Sequence, residues 1–233
     1  MAKPVCAVVG VGPGNGTSIA RRFAHADYAV AMLARSSRTL AALEAQLPDA
    51  RGFVCDATDG ASIATAFADI RASMGEVETL VYNAGPGIWG SIEEVSPAAF
   101  EETWRVNALG TFLTVREVIP AMKAAGHGNI LLVSATAARR GKARTAAFAP
   151  AKAAQRSLAE AMAKHLWPAG IHVALVIIDG VVDLRATRTM MPDKPDDFFV
   201  KSDDVAETVH WLSRQPRSAW AFEVEARPFG EVW

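Results

Sequence analysis

The run from Lys3 to Ala20 leaves few folds open. Val5–Val9 is a five-residue apolar stretch, a glycine-dense turn follows, and Ile19-Ala20-Arg21-Arg22-Phe23-Ala24 opens a helical pattern. Strand, glycine turn and helix in that order aim a helix N-terminus, with its unpaired N–H groups and positive dipole end, at an anion such as a phosphate. Glycines serve there because a Cβ blocks close approach and resists positive φ. The spacing is Gly10-x-x-x-Gly14-x-Gly16. G-x-G-x-x-G fails in every frame, since it needs glycine at Asn15 or Thr17, and no Gly-Lys-Ser/Thr follows. A glycine turn without a ligand is the alternative at this point.

Strand and helix signals alternate along all 233 residues, which predicts a parallel sheet covered on both faces. Strands are expected at Val5–Val9, 28–34, 52–55, 79–82, 129–133, Ile171–Ile178 and 222–226. Helices are expected at 15–26, 37–47, 59–73, from Ser96-Pro97 onward with a break before 101–125, at 145–166, and at 203–214 with Ser202 as cap. The result is a doubly wound, mostly parallel seven-stranded α/β sheet of Rossmann type, with residues 1–233 as one domain. The least regular segment, 179–201, is long enough to be a lid or binding loop, or a plain surface connection.

Charge is nearly balanced, with 24 basic and 25 acidic residues. It gives no electrostatic reason to expect nucleic acid or membrane partners. No apolar run reaches membrane-spanning length, and Pro4 with the glycine turn interrupts any signal-peptide pattern, so the chain reads as cytoplasmic. Cys6 and Cys55 fall on strands with another between them, about 10 Å or more apart, too far for a disulfide. No cysteine or histidine spacing fits a structural metal.

Several separated motifs together resemble the short-chain dehydrogenase/reductase family. They are the Gly10-x-x-x-Gly14-x-Gly16 turn, Asp56 after strand three, Asn83-Ala84-Gly85 after strand four, Asn107 followed by Gly110, Ser134 closing Ile130-Leu131-Leu132-Val133-Ser134, and Lys152. The resemblance implies that the glycines bind a nicotinamide dinucleotide, that Asp56 contacts its adenine, and that Asn83, Asn107, Ser134 and Lys152 belong to the cofactor and catalytic set. A site that selects NAD usually places Asp or Glu at the end of strand two. Here Leu33-Ala34-Arg35-Ser36 carries Arg35 instead, with Arg38 one turn later, which predicts NADP(H) in preference to NAD(H), a solvated arginine being the alternative.

Two departures stand out. The family's Tyr-x-x-x-Lys centre reads Phe148-Ala149-Pro150-Ala151-Lys152, and the only tyrosines are Tyr28 and Tyr82. Phenylalanine cannot transfer a proton. Ser134, helped through Lys152, is the first candidate for a replacement donor. Ile178-Asp179-Gly180 stands where the family commonly has Pro-Gly, so Asp179 is either a turn residue or a carboxylate near the site. Thr136 and Thr145 are further candidate helpers.

Four basic residues in Arg139-Arg140-Gly141-Lys142-Ala143-Arg144 suit an anionic small-molecule substrate, or form a solvated loop. Trp89 is expected at the pocket or at a contact. Three functions remain open: an NADP(H)-dependent oxidoreductase acting on a carbonyl/alcohol pair by a non-tyrosine proton route, a catalytically silent NADP(H)-binding protein or regulatory subunit, and, with least support from the nucleotide motifs, a pocket serving a reaction other than hydride transfer. In proteins this sequence resembles, helices 101–125 and 145–166 pair between subunits, which implies a homodimer or homotetramer. Trp220, Phe222, Phe229 and Trp233 are candidates for a second contact.

Overall fold

Alternate residues of each strand go to opposite faces of one sheet, and helices cover both. The computed structural model describes residues 2–85 and 87–230. In chain order the main elements are β1 (Val5–Val9), α1 (Asn15–Ala24), β2 (Ala29–Ala34), α2 (Ser37–Glu44), β3 (Ala50–Val54), α3 (Gly60–Ser73), β4 (Val77–Tyr82) and α4 (Pro97–Trp104). A π-helical turn, Arg105–Leu109, runs into α5 (Gly110–Ala125). Then come β5 (Gly128–Ala135), α6 (Phe148–Leu166), β6 (Ile171–Ile178), β7 (Val181–Val182), α7 (Arg185–Met190), β8 (Phe199–Val200), α8 (Ser202–Ser213) and β9 (Glu223–Ala226).

The seven strands of the main sheet lie in the order β3-β2-β1-β4-β5-β6-β9, every pair parallel. Chain order reverses between β1 and β4, and the crevice beyond the strand C-termini at such a switch is where ligands bind in these sheets. Val5, Ala7 and Val9 pack toward α3, α5 and α6, while Cys6 and Val8 pack toward α1, α2 and α8. Both cysteines are buried and free.

Three boundaries differ from expectation. Ser202 is the first residue of α8, not its cap; Lys201 holds that place and no side chain caps the helix. α6 begins at Phe148, because Thr145 spends its hydroxyl closing a turn on Lys142, donating to that carbonyl at 2.9 Å and accepting from that N–H at 2.8 Å. The helix expected to break before 101–125 instead changes winding at the π turn. There Tyr82 donates its hydroxyl to the Val106 carbonyl at 2.5 Å.

Segment 179–201 is more ordered than its composition implies. β7 and β8 pair in parallel. Asp183 accepts two bonds from Arg188, at 2.7 and 3.0 Å, and one from Lys201 at 2.6 Å. Those cations hold its carboxyl well below the usual range. At the other end, Trp220 stacks on His172 with ring centroids 4.8 Å apart, and Phe222 packs on the core, so both serve this chain's own fold. Phe229 is exposed, and Trp233 lies outside the described residues.

Candidate active site

The glycine turn is built by close approach. Gly10 has φ +90°, and a Cβ there would lie 2.5 Å from the Ala84 nitrogen; one at Gly16 would lie 2.4 Å from the Gly10 carbonyl oxygen. Asn83 holds the turn from β4 by donating Nδ2 to the Gly10 carbonyl at 2.9 Å. Gly14, at φ +100°, precedes α1 without a side-chain cap, and no acidic residue sits in the first turn of that helix. The helix end thus keeps its positive character free of any acid of the chain's own first turn. Gly12 faces open space.

A cavity of about 550 Å³ opens from this turn across the C-terminal ends of β4, β5 and β6. It gathers Gly10, Gly16, Asn83, Ser134, Phe148 and Lys152. Lys152 is buried, and its Nζ donates to the Val133 carbonyl at 3.2 Å and to Gln155 Oε1 at 3.1 Å. Burial pulls its pKa down to about 7. Asn107, fully buried in the π turn, donates Nδ2 to the Thr103 carbonyl at 2.9 Å. A Cβ on Gly85 would lie 2.6 Å from Asn107 Oδ1 and 3.0 Å from Lys152 Nζ, so both polar atoms border that glycine. Asn107 Oδ1, Ser134 Oγ and Asn15 Oδ1 are buried polar atoms without a hydrogen-bond partner in the protein. Asn15 and Ser134 line the cavity, while Asn107 Oδ1 sits behind Gly85 at its wall; buried polar atoms are rarely left so, and this grouping fits a site completed by a polar ligand.

Phe148 turns its ring into the cavity, 5.5 Å between centroids from Trp89, with Lys152 Nζ 5.9 Å from the ring centre. Asp179 is buried at the cavity wall; its carboxylate accepts from Thr136 Oγ1 and pairs with Arg227. Its oxygens are therefore engaged in structure, as are both threonines named as helpers. Of the basic loop, Arg139 pairs with Glu223 and Glu225, and Arg144 with Glu94. Only Arg140 and Lys142 line the cavity. Arg140 lies 3.9 Å from the already paired Asp179, and Lys142 forms no ion pair among the described residues.

The structure does not bring Arg35 and Asp56 into that cavity. Both stand beyond the ends of neighbouring strands, β2 and β3. Arg35 is exposed and has no ion pair among the described residues. Asp56 accepts from Thr58 N and Thr58 Oγ1, both at 2.8 Å, and the backbone bond, with Arg35 a lesser contributor, lowers its pKa.

The sequence profile described as short chain dehydrogenase matches residues 4–194. The chain belongs to the short-chain dehydrogenase family. A short-chain dehydrogenase from Rhodopseudomonas palustris shares 31% identity and a TM-score of 0.83, over 97% of this chain and 99% of the other. A metagenomic short-chain oxidoreductase in complex with NADP shares 28% identity with a TM-score of 0.85, over 99% of each chain. Among curated relatives, a sepiapterin reductase of Chlorobaculum tepidum is 26% identical over 97% of this chain and 96% of its own.

In this member of the family, sequence reading missed Asn15, Gln155 and Arg227. Gln155 left one signal, a polar residue three positions after Lys152 on an otherwise apolar helix stripe. Arg227 left none, because its partner lies 48 positions away in sequence. Val181, Val182, Leu184 and Thr187 of the irregular segment also line the cavity.

Proposed function

We propose that the protein is an NADP(H)-dependent oxidoreductase that interconverts a carbonyl compound and an alcohol without a tyrosine proton donor. The observation that carries this reading is the convergence of Ser134, Asn107 and Lys152, two of them with unpaired polar atoms, beside an uncapped glycine turn. In this reading Gly10, Gly14, Gly16 and the first amides of α1 hold the pyrophosphate. Asn83 braces the turn, Asp56 faces the adenine, and Lys152 and Asn107 face the nicotinamide ribose. Bound there, the dinucleotide supplies or accepts the hydride. Ser134 presents its hydroxyl to the substrate oxygen, and Lys152, with a pKa of about 7, is the group able to hold and release a proton near neutral pH.

Arg140 and Lys142 favour an anionic small molecule, since Asp179, the one acid among the described cavity residues, is already paired. Trp89 and Phe148 supply an apolar wall for the remainder of it. A catalytically silent NADP(H)-binding protein is the second reading, and the missing hydroxyl at Phe148 is the observation in its favour. We also infer assembly into a homodimer or homotetramer.

Arg35 supports the choice of NADP(H), as do neighbours solved with NADP and, in an alcohol dehydrogenase of Thermococcus sibiricus, with 5-hydroxy-NADP. Fluorescence titration with both reduced coenzymes tests it. NADPH is expected to bind at least about tenfold tighter, the worth of one charge-assisted bond, and Arg35→Glu to abolish the preference. Equal affinities in the wild type, or tighter NADH, contradict the assignment.

A further inference from the structure

Lys152 keeps its amine buried and hydrogen-bonded although Phe148 offers it no hydroxyl. Gln155, three residues on along α6, is fully buried. Its Oε1 accepts from Lys152 Nζ at 3.1 Å and its Nε2 donates to Thr111 Oγ1 at 3.0 Å. That hydroxyl in turn donates to the Asn107 carbonyl at 2.7 Å. A primary amide suits both ends, because its carbonyl can take an ammonium proton while its N–H bonds a hydroxyl oxygen. An apolar residue at 155 would leave Lys152 with the Val133 carbonyl as its one protein acceptor among these contacts.

We propose that Gln155 is a positioning residue that fixes the Lys152 amine and ties it, through Thr111, to the π turn carrying Asn107. The proposal rests on the reading of Lys152 and Asn107 as site residues. The groups around Nζ are the Val133 carbonyl, the Gln155 amide, the Phe148 ring and, across Gly85, the Asn107 carboxamide. Burial lowers the pKa of Lys152, and among the described residues the amine forms no ion pair, its side-chain hydrogen-bond acceptor being Gln155. Two buried groups from different elements, α6 and the π turn, are thereby held in one register.

Side-chain NMR of the ligand-free protein, with the Lys152 signal assigned by its loss in Lys152→Met, reads the amine's titration directly. Gln155→Leu removes both arms of the link and is expected to lower the lysine midpoint by about one pH unit, the scale of one bond to a charged group. Gln155→Glu keeps an acceptor and adds an opposite charge, so it raises the midpoint above wild type. It still breaks the Thr111 arm, since the Thr111 proton is committed to Asn107. The Asn107 side-chain amide signals are therefore expected to move in both variants. If Gln155→Leu does not fold, the Glu variant decides alone. A lysine midpoint unchanged in the variants that fold, with only a lower Tm, makes Gln155 a packing residue and overturns the proposal; unmoved Asn107 signals overturn the link to the π turn. Neither readout needs coenzyme, so failure here is distinct from failure to bind NADPH.

Discussion

Lys152 brings a cation into a buried place at the cavity wall, and its cost is set by pH. Its folded pKa of about 7 lies below the ordinary 10.5. Between those values the unfolded chain holds a proton that the folded chain has released, so stability rises as pH climbs from about 7 toward 10.5. Below about 7 the folded state carries the full cost of burying the ammonium. Lys152→Met removes that titration. Its stability advantage over wild type, read from urea midpoints, is therefore expected to be largest near pH 6 and to shrink steadily by pH 9. An advantage that does not change with pH contradicts the burial account. Phe148, beside the lysine, keeps the shape of the aromatic wall and gives up the hydroxyl.

At the scale of elements, the α4–π turn–α5 unit serves two ends. Its inner side sets Asn107 next to Gly85 and Lys152, with Gly110 packed so closely that a Cβ would lie 2.3 Å from the Ala57 carbonyl oxygen. Its outer side leaves Phe100, Trp104 and Phe112 exposed. Grouped exposed aromatics commonly mark a contact surface, and a self-complementary pair of such faces closes a dimer. Light scattering at micromolar concentration is expected to give a dimer or tetramer that Trp104→Glu weakens; a wild-type monomer contradicts this. Ser96 and Pro97 announced the start of this unit, since Ser96 Oγ accepts from Ala99 N and Pro97 takes the first turn. The π turn was not announced, and the bond made to it by the Tyr82 hydroxyl, onto the Val106 carbonyl, spans 24 positions and leaves no local signal.

The molecule as a whole follows from alternation. Val5–Val9 is apolar on both faces and Ile171–Ile178 nearly so, as buried parallel strands are, so a parallel sheet covered on both faces was legible from the sequence; the strand order and the switch point between β1 and β4 were not, since they are set by tertiary pairing. The glycine turn, Asn83, Ser134 and Lys152 were legible too, each lying next to a strand end or on a strongly patterned helix. The Asp179–Arg227 pair and the Gln155–Thr111 link were not, since both depend on tertiary contacts that leave no local period. The whole arrangement sets a buried lysine and three unpaired polar atoms, on Asn15, Asn107 and Ser134, about one crevice, and the central claim is that it transfers hydride without a tyrosine. NADPH oxidation against a broad panel of carbonyl compounds, with wild type, Ser134→Ala and Phe148→Tyr run side by side, tests that claim most directly. The account predicts that wild type turns over at least one carbonyl, that Ser134→Ala falls by about 10²-fold or more, the scale of one general acid, and that Phe148→Tyr does no worse than wild type. Turnover by Phe148→Tyr alone, with an inert wild type that still binds NADPH, would contradict it and leave a coenzyme-binding protein in its place.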